Sequence, residues 1–182
     1  MKLNEIINEI IDEFLNNGDN ASNKPFKNVK ITNSNEKDEL LNNAVNWSID
    51  LIKQKLGISP KFNIKWGNSS NCYDDSIEIR FKDPYHLKYP NAFYDTVCHE
   101  ICHVIDNMYG STSNKFGEDI RRPISDSAEF RKIPLNTAPT SYAKDSKDED
   151  FVISLQYALY DKLNELTNDR ILFLKNKFPK LN

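Results

Sequence analysis

Two of the three histidines in this 182-residue chain lie in one short segment, HEICH (99–103), and that segment most constrains the fold. Residues four apart lie on one face of an α-helix. The apolar residues around the segment repeat with a helical period, Pro90 precedes it and Gly110 follows it. We therefore predict a helix over about residues 92–109, with both imidazoles directed to one point in space.

The pattern H-E-x-x-H on a helix is typical of a catalytic zinc site. His99 and His103 can bind one ion at about 2.0–2.1 Å. Glu100 lies about 100° around the helix and can reach a water on that ion without being a ligand. A carboxylate in that position can take a proton from the water. The pattern predicts one Zn²⁺ per chain, with Glu100 as general base; the alternative is a chance pattern on an ordinary amphipathic helix.

A catalytic zinc site also needs a third protein ligand. The remaining histidine, His86, lies upstream near Pro84 and Pro90, and we expect it in a surface loop. The longer pattern H-E-x-x-H-x-x-G-x-x-H fails, because Asp106 and Tyr109 occupy the last two fixed positions. A downstream carboxylate is the expected third ligand. Spacing alone does not choose among Glu118, Asp119, Asp126, Glu129, Asp148, Glu149 and Asp150.

A second segment, PTSYAKDSKDEDFVISLQYALY (139–160), adds a more specific pattern. Together with HEICHVID it resembles the zinc metallopeptidase group that includes the anthrax lethal factor catalytic domain and the secreted bacterial Pro-Pro endopeptidases. That group has an H-E-x-x-H-x-x-D helix, then a T-S-Y or similar loop, then a glutamate seven residues after the tyrosine. Here Glu149 follows Tyr142 by seven residues, and Asp106 matches the aspartate. The resemblance covers roughly residues 95–160.

The resemblance implies roles, a fold and an activity. Glu149 would be the third zinc ligand, and Tyr142 would donate a hydrogen bond to the scissile carbonyl oxygen. The fold would be α+β, a single two-lobed zincin-like metallopeptidase domain over residues 1–182. Residues 1–110 would form a lobe with a small mixed sheet and the active-site helix, and residues 111–182 a mainly helical lobe. The activity would be that of a zinc-dependent endopeptidase.

The periodicity of the rest of the chain agrees with an α+β class. Strand-like alternation occurs in KFNIKW (61–66) and SIEIRF (76–81). SIEIRF is the candidate for an edge strand that pairs with substrate, and the alternative is an ordinary core strand. Helical patterns cover about residues 2–16, from a capping box at Asn33 to Leu56, 125–132, from Ser146 onward, and 168–178.

Several site residues have a structural alternative to their functional role. Ser146 and Glu149 have capping-box spacing, and a glutamate that caps its own helix is not free to bind zinc. Tyr142 could simply cover its loop. Asp106 shares the face of the two histidines and could orient a ligand or fix the loop downstream. Cys98 and Cys102 lie off that face, and we expect both in the core as free thiols.

Composition and charge exclude some partners. The net charge is −3 with no cluster of basic residues, so no nucleic-acid partner is expected. No apolar run is long enough for a membrane span. The first twenty residues do not look like a secretory signal, which favours the cytoplasm or delivery into a host, or secretion if a signal was removed. A protein or peptide substrate and a monomeric state are the expectation.

Two other functions fit the same residues. The chain could be a catalytically silent zincin-like module that binds a partner, although the intact Glu100 argues against this. It could also be an intracellular regulatory protease, such as those that cleave phage repressors.

Overall fold

A computed structural model of the chain describes residues 34–82, 85–115 and 118–181. The helix predicted over residues 2–16 and the cap at Asn33 lie outside these ranges. The described helices and strands, in chain order, are α1 (Ser34–Leu56), β1 (Asn63–Trp66), β2 (Asn71–Tyr73), β3 (Ser76–Ile79), α2 (Tyr85–Lys88), α3 (Pro90–Met108), β4 (Ser111–Lys115), β5 (Glu118–Arg122), α4 (Ala128–Arg131), α5 (Lys147–Leu159) and α6 (Asn168–Lys177).

The helices surround a small mixed sheet with strand order β1-β3-β2. β1 pairs parallel to β3, with Ile64 opposite Ile77, and β2 pairs antiparallel to β3. The α+β class and the small mixed sheet are therefore confirmed. Of the two interpretations of SIEIRF, the edge strand is wrong and the core strand is correct, because β3 is the central strand and its Ile77 and Ile79 are buried. The edges of the sheet are β1 and β2, and the three residues of β2 are too few to show alternation in sequence.

The predicted histidine helix exists as α3, which begins with Pro90 at its first turn and ends two residues before Gly110. One broad face of α3 is fully buried, with Val97, Ile101 and Val104 inaccessible to solvent. That face packs against α1, α5 and the sheet. Burying each such side chain contributes about 1.5–3 kcal/mol. The packing holds α3 on several sides, and its remaining polar face carries the two histidines.

Residues 111–122 form a hairpin that the sequence did not predict. β4 and β5 pair antiparallel, with Ser111 opposite Arg122 at the base. Gly110 starts the hairpin where the chain passes very close to itself: a Cβ on Gly110 would lie 1.7 Å from the carbonyl oxygen of Arg122. Only glycine fits there without a backbone shift. The hairpin returns the chain to Pro123 beside the end of α3.

The C-terminal segment is helical, as predicted. Ser146 is the N-cap of α5, and its hydroxyl accepts a hydrogen bond from the backbone N–H of Glu149. Every residue of α5 from Asp150 to Leu159 is buried. α6 packs on α5 through a buried ion pair in which Arg170 makes two hydrogen bonds to Asp150, each 2.8 Å long.

Within the described ranges, no helix combines the length and the apolar character needed to cross a bilayer.

Candidate metal centre

The two histidines of α3 point at each other's outer ring nitrogens. His99 Nε2 and His103 Nε2 are 3.2 Å apart, and the ring planes are nearly perpendicular. Both side chains are about five-sixths buried. Two neutral imidazole nitrogens at this distance oppose two lone pairs unless a proton or a cation lies between them. The pair is therefore arranged to share a ligand.

Glu149, from the first turn of α5, completes the cluster. Its Oε2 lies 3.2 Å from His99 Nε2, and its Oε1 lies 3.5 Å from His103 Nε2. Ser146 caps the helix through the backbone of Glu149, so the Glu149 carboxylate stays free to face the histidines. The sequence left open whether the Glu149 carboxylate caps its own helix or faces the histidines. In the structure it faces the histidines.

The donor set fits zinc. Two imidazole nitrogens and one carboxylate are a usual catalytic zinc set, and bonds of about 2.0–2.1 Å in a tetrahedron separate neighbouring donors by about 3.3–3.4 Å. The two histidine Nε2 atoms are 3.2 Å apart, and His99 Nε2 is 3.2 Å from Glu149 Oε2, which is close to that spacing. Glu149 Oε2 is buried and faces the His99 ring nitrogen. Among the described residues, this trio is the cluster that could hold a metal ion.

The electrostatics of the cluster favour a charged network. Burial by itself raises the pKa of Glu149, but hydrogen bonds from His103 and His99 outweigh it, so the pKa lies well below its usual range. Burial lowers the pKa of His99, but the hydrogen bond and the charge of Glu149 raise it above the ordinary value. Ionised Glu149 thus stabilises a proton on His99, in the place where a cation would act.

Gln156, two turns after Glu149 on α5, also contacts the centre. Its Oε1 lies 3.1 Å from His99 Nδ1, and its Nε2 donates to the backbone carbonyl of Asp95. The sequence analysis missed Gln156. The signal that could have found it is its spacing of seven from Glu149, which places both on one face of the helix.

Glu100 is a separate buried carboxylate at the same cleft. It is 5% exposed and lines the cleft with both histidines. Burial raises its pKa, while His99 and His103 lower it in part. A carboxylate with a raised pKa is better suited to take up and release a proton near neutral pH than an exposed one.

Tyr142 stands at the rim of the centre. Its side chain projects from the 3₁₀ turn Tyr142–Lys144, it is about half exposed, and its hydroxyl donates to Glu149 Oε1 at 2.8 Å. Burial and the neighbouring charge of Glu149 raise its pKa, so the phenol keeps its proton at neutral pH. Tyr142 is thus a hydrogen-bond donor beside the proposed ligand.

Asp106 fixes the segment that follows the hairpin. Its two carboxylate oxygens accept hydrogen bonds from the backbone N–H and the hydroxyl of Ser125, both 2.7 Å long. Burial raises the pKa of Asp106 to about 6, although both hydrogen bonds favour the ionised form. Asp106 could orient a metal ligand or fix the downstream loop, and these contacts correspond to fixing the loop.

The other carboxylates considered as third ligands have other positions. Asp150 is buried against Arg170, Asp126 is exposed beside Arg131, and Glu129 is exposed on α4. Asp148 lines the cleft but is exposed. The side chains of Glu118 and Asp119 lie outside the described part of the structure.

His86 is not a surface residue, so that prediction is wrong. It is 2% exposed, packs against the rings of Phe81 and Phe93, and its Nδ1 accepts a hydrogen bond from the backbone N–H of Lys82. Phe81 follows β3 and Phe93 belongs to α3, and the local sequence around His86 does not reveal that both rings pack on it. Cys98 and Cys102 are buried free thiols, as predicted.

The centre lies in an open cleft of about 610 Å³. One wall comes from the edge strand β2 and the residue before it, and the opposite wall from residues 123–126 and the start of α5. Lys147 belongs to that second wall, but its ammonium donates to the backbone carbonyl of Ile133.

Comparisons with protein families, curated proteins and solved structures found no match for this chain.

Proposed function

We propose that the chain is a zinc-dependent endopeptidase that hydrolyses peptide bonds of a protein or peptide substrate. The observation that carries the proposal is the convergence in one open cleft of the His99–His103–Glu149 trio and a second buried carboxylate, Glu100. A purely structural metal site needs no such additional carboxylate. The order and spacing of these residues also resemble those of the lethal factor and Pro-Pro endopeptidase group. We accordingly propose a two-lobed zincin-like domain.

His99, His103 and Glu149 would hold the ion. When bound, zinc supplies Lewis-acid chemistry that lowers the pKa of a coordinated water to about 7 and polarises a carbonyl. Glu100 is the general base, which takes a proton from the attacking water and passes it to the leaving amine. Its burial supports this role, because a desolvated carboxylate binds a proton more readily. No covalent intermediate with the protein is needed.

Tyr142 is the proposed donor to the scissile carbonyl oxygen. Its hydroxyl lies at the cluster, and its phenol stays protonated at neutral pH. A donor aimed at the oxygen on which charge develops typically accelerates acyl transfer by about 10²–10³-fold. In the ligand-free arrangement the hydroxyl donates to Glu149, so it would have to turn from that carboxylate to the substrate.

An extended substrate would pair with β2. This strand lies at the edge of the sheet, and Ser70, Asn71 and Cys72 line the cleft beside the histidines. Within the described residues β2 pairs on one side only, with β3. Backbone hydrogen bonds to its other side would hold a peptide chain irrespective of sequence.

The test compares wild type, Glu100→Gln, Glu149→Gln and Glu129→Gln. Zinc per chain is measured by metal mass spectrometry, and cleavage is measured on a proteome-derived peptide library supplemented with Pro-Pro peptides. We expect about one zinc in wild type, in Glu100→Gln and in the exposed control Glu129→Gln, and a clear loss in Glu149→Gln. Cleavage should survive only in wild type and Glu129→Gln, and a chelator should abolish it.

The outcomes separate the alternatives. Zinc without cleavage in wild type, on a library that covers all residue pairs, would favour the silent binding module. Unchanged cleavage in Glu100→Gln would exclude Glu100 as the base. No zinc in any of the proteins after reconstitution would contradict the metal centre itself.

A further inference from the structure

One face of α5 is polar although the helix is buried. Glu149, Gln156 and Tyr160 follow each other at spacings of seven and four, which places them in one row along the helix. Glu149 contacts His99 and His103, Gln156 contacts His99 and the carbonyl of Asp95, and Tyr160 donates to Asp95 Oδ1. Residues later in α5 thus contact residues earlier in α3, so the helices run antiparallel and this row follows the histidine face.

The orientation of the Gln156 amide follows from its second partner. A backbone carbonyl only accepts hydrogen bonds, so the NH₂ group of Gln156 must face the Asp95 carbonyl, 3.1 Å away. The amide oxygen therefore faces His99 Nδ1, also at 3.1 Å. An amide oxygen only accepts, so His99 must donate from Nδ1.

We propose that Gln156 is a positioning residue that holds His99 in the Nδ1–H tautomer. This tautomer leaves the lone pair on Nε2, the nitrogen that faces His103 Nε2 and Glu149 Oε2. Gln156 is 3% exposed and is tied to the backbone of α3, so the acceptor cannot turn away without leaving the Asp95 carbonyl. The inference rests on the proposed function, because the Nε2 lone pair serves a bound cation.

The competing explanation is that Gln156 only joins the two helices. Its bond to Asp95 and the adjacent bond from Tyr160 to the Asp95 carboxylate both serve that purpose. Tyr160→Phe removes a polar contact between the same helices without touching His99, and so it is the matched control for Gln156→Met. Methionine has a similar length but no acceptor in the place of the amide oxygen.

The first readout is the His99 Nδ1–H proton, detected by long-range ¹H–¹⁵N NMR on the zinc-loaded proteins. We expect a hydrogen-bonded Nδ1–H that exchanges slowly with water in wild type and in Tyr160→Phe, and a rapidly exchanging one in Gln156→Met. The second readout is zinc affinity by competition with a chelator. Loss of a group that orients a ligand typically lowers metal affinity by about 10–100-fold. We expect that loss in Gln156→Met and none in Tyr160→Phe.

Three results would overturn the proposal: a rapidly exchanging His99 Nδ1–H in the zinc-loaded wild type, an unchanged exchange rate in Gln156→Met, or an equal loss of zinc affinity in both variants. Thermal unfolding of each variant confirms that the compared proteins are folded. If wild type bound no zinc, the proposed function and the positioning role would both fail, whereas equal zinc affinity in wild type and Gln156→Met would contradict the positioning role alone.

Discussion

The hydroxyl of Tyr142 lies 2.8 Å from Glu149 Oε1, close to the atoms that would hold the ion. This one contact is compatible with two roles, because a donor to Glu149 could hold the carboxylate in place or could turn to a substrate oxygen. The roles differ in what they do to zinc binding and to turnover. A single atom change at the phenol separates them.

We expect Tyr142→Phe to bind zinc like wild type and to lower kcat by about 10²–10³-fold, with a smaller change in KM, because the lost donor acts mainly in the transition state. Zinc content and steady-state kinetics on a cleaved library peptide check this. A loss of zinc with little change in the kcat of the loaded fraction would instead assign Tyr142 to holding Glu149.

At the level of elements, the position of Glu149 depends on how the start of α5 is fixed. The next residue, Asp150, is fully buried and receives two hydrogen bonds from Arg170 of α6. Arg170 also donates to Thr137, Thr167 and the carbonyl of Pro134. The guanidinium thus ties α6 and the loop before Tyr142 to the helix that carries the proposed ligand.

Removing Arg170 leaves the buried Asp150 carboxylate with only the Lys147 ammonium, 4.0 Å away, as an opposite charge among the described residues. We expect Arg170→Met to lower the free energy of unfolding by about 3–5 kcal/mol, measured by urea denaturation. The double variant Arg170→Met/Asp150→Leu removes both charges and should recover much of that loss. If the double variant were as unstable as the single one, packing and the lost hydrogen bonds rather than the unpaired carboxylate would explain the effect.

For the whole molecule, His86 makes stability depend on pH. Burial, and to a smaller extent Lys82, lower its pKa from the ordinary 6.5 to about 4. The unfolded chain therefore binds a proton near pH 6.5 that the folded chain accepts only near pH 4. The stability contributed by neutral His86 is fully present above pH 6.5 and is lost as the pH falls towards 4.

We expect this loss to reach roughly 2–3 kcal/mol at pH 4.5. The measurement is the free energy of unfolding at pH 7.5 and 4.5 for zinc-free wild type and His86→Leu. The variant loses the acceptor for the Lys82 N–H and should be less stable at both pH values, but its stability should fall less between them. Parallel pH curves for the two proteins would show that His86 does not titrate in this way.

The local features of this protein follow directly from its sequence. The period of the apolar residues and the flanking Pro90 and Gly110 predicted α3 to within about two residues at each end. Ser146 correctly predicted the start of α5, and the spacing of His99 and His103 placed both imidazoles on one face. These features depend on residues within a few positions of each other, and such interactions can be read along the chain.

Which distant groups meet depends on how the helices pack. Seven downstream carboxylates satisfied the requirement for a third ligand, and the packing of α5 against α3 brings Glu149 to the histidines while Asp150 turns to Arg170. The same packing supplies Gln156. β3 is central because β1 and β2 pair with its two sides, and His86 is buried because Phe81, which follows β3, and Phe93 of α3 pack against it. The contacts of Glu149 and Gln156 join residues far apart in the chain, and no local pattern encodes them.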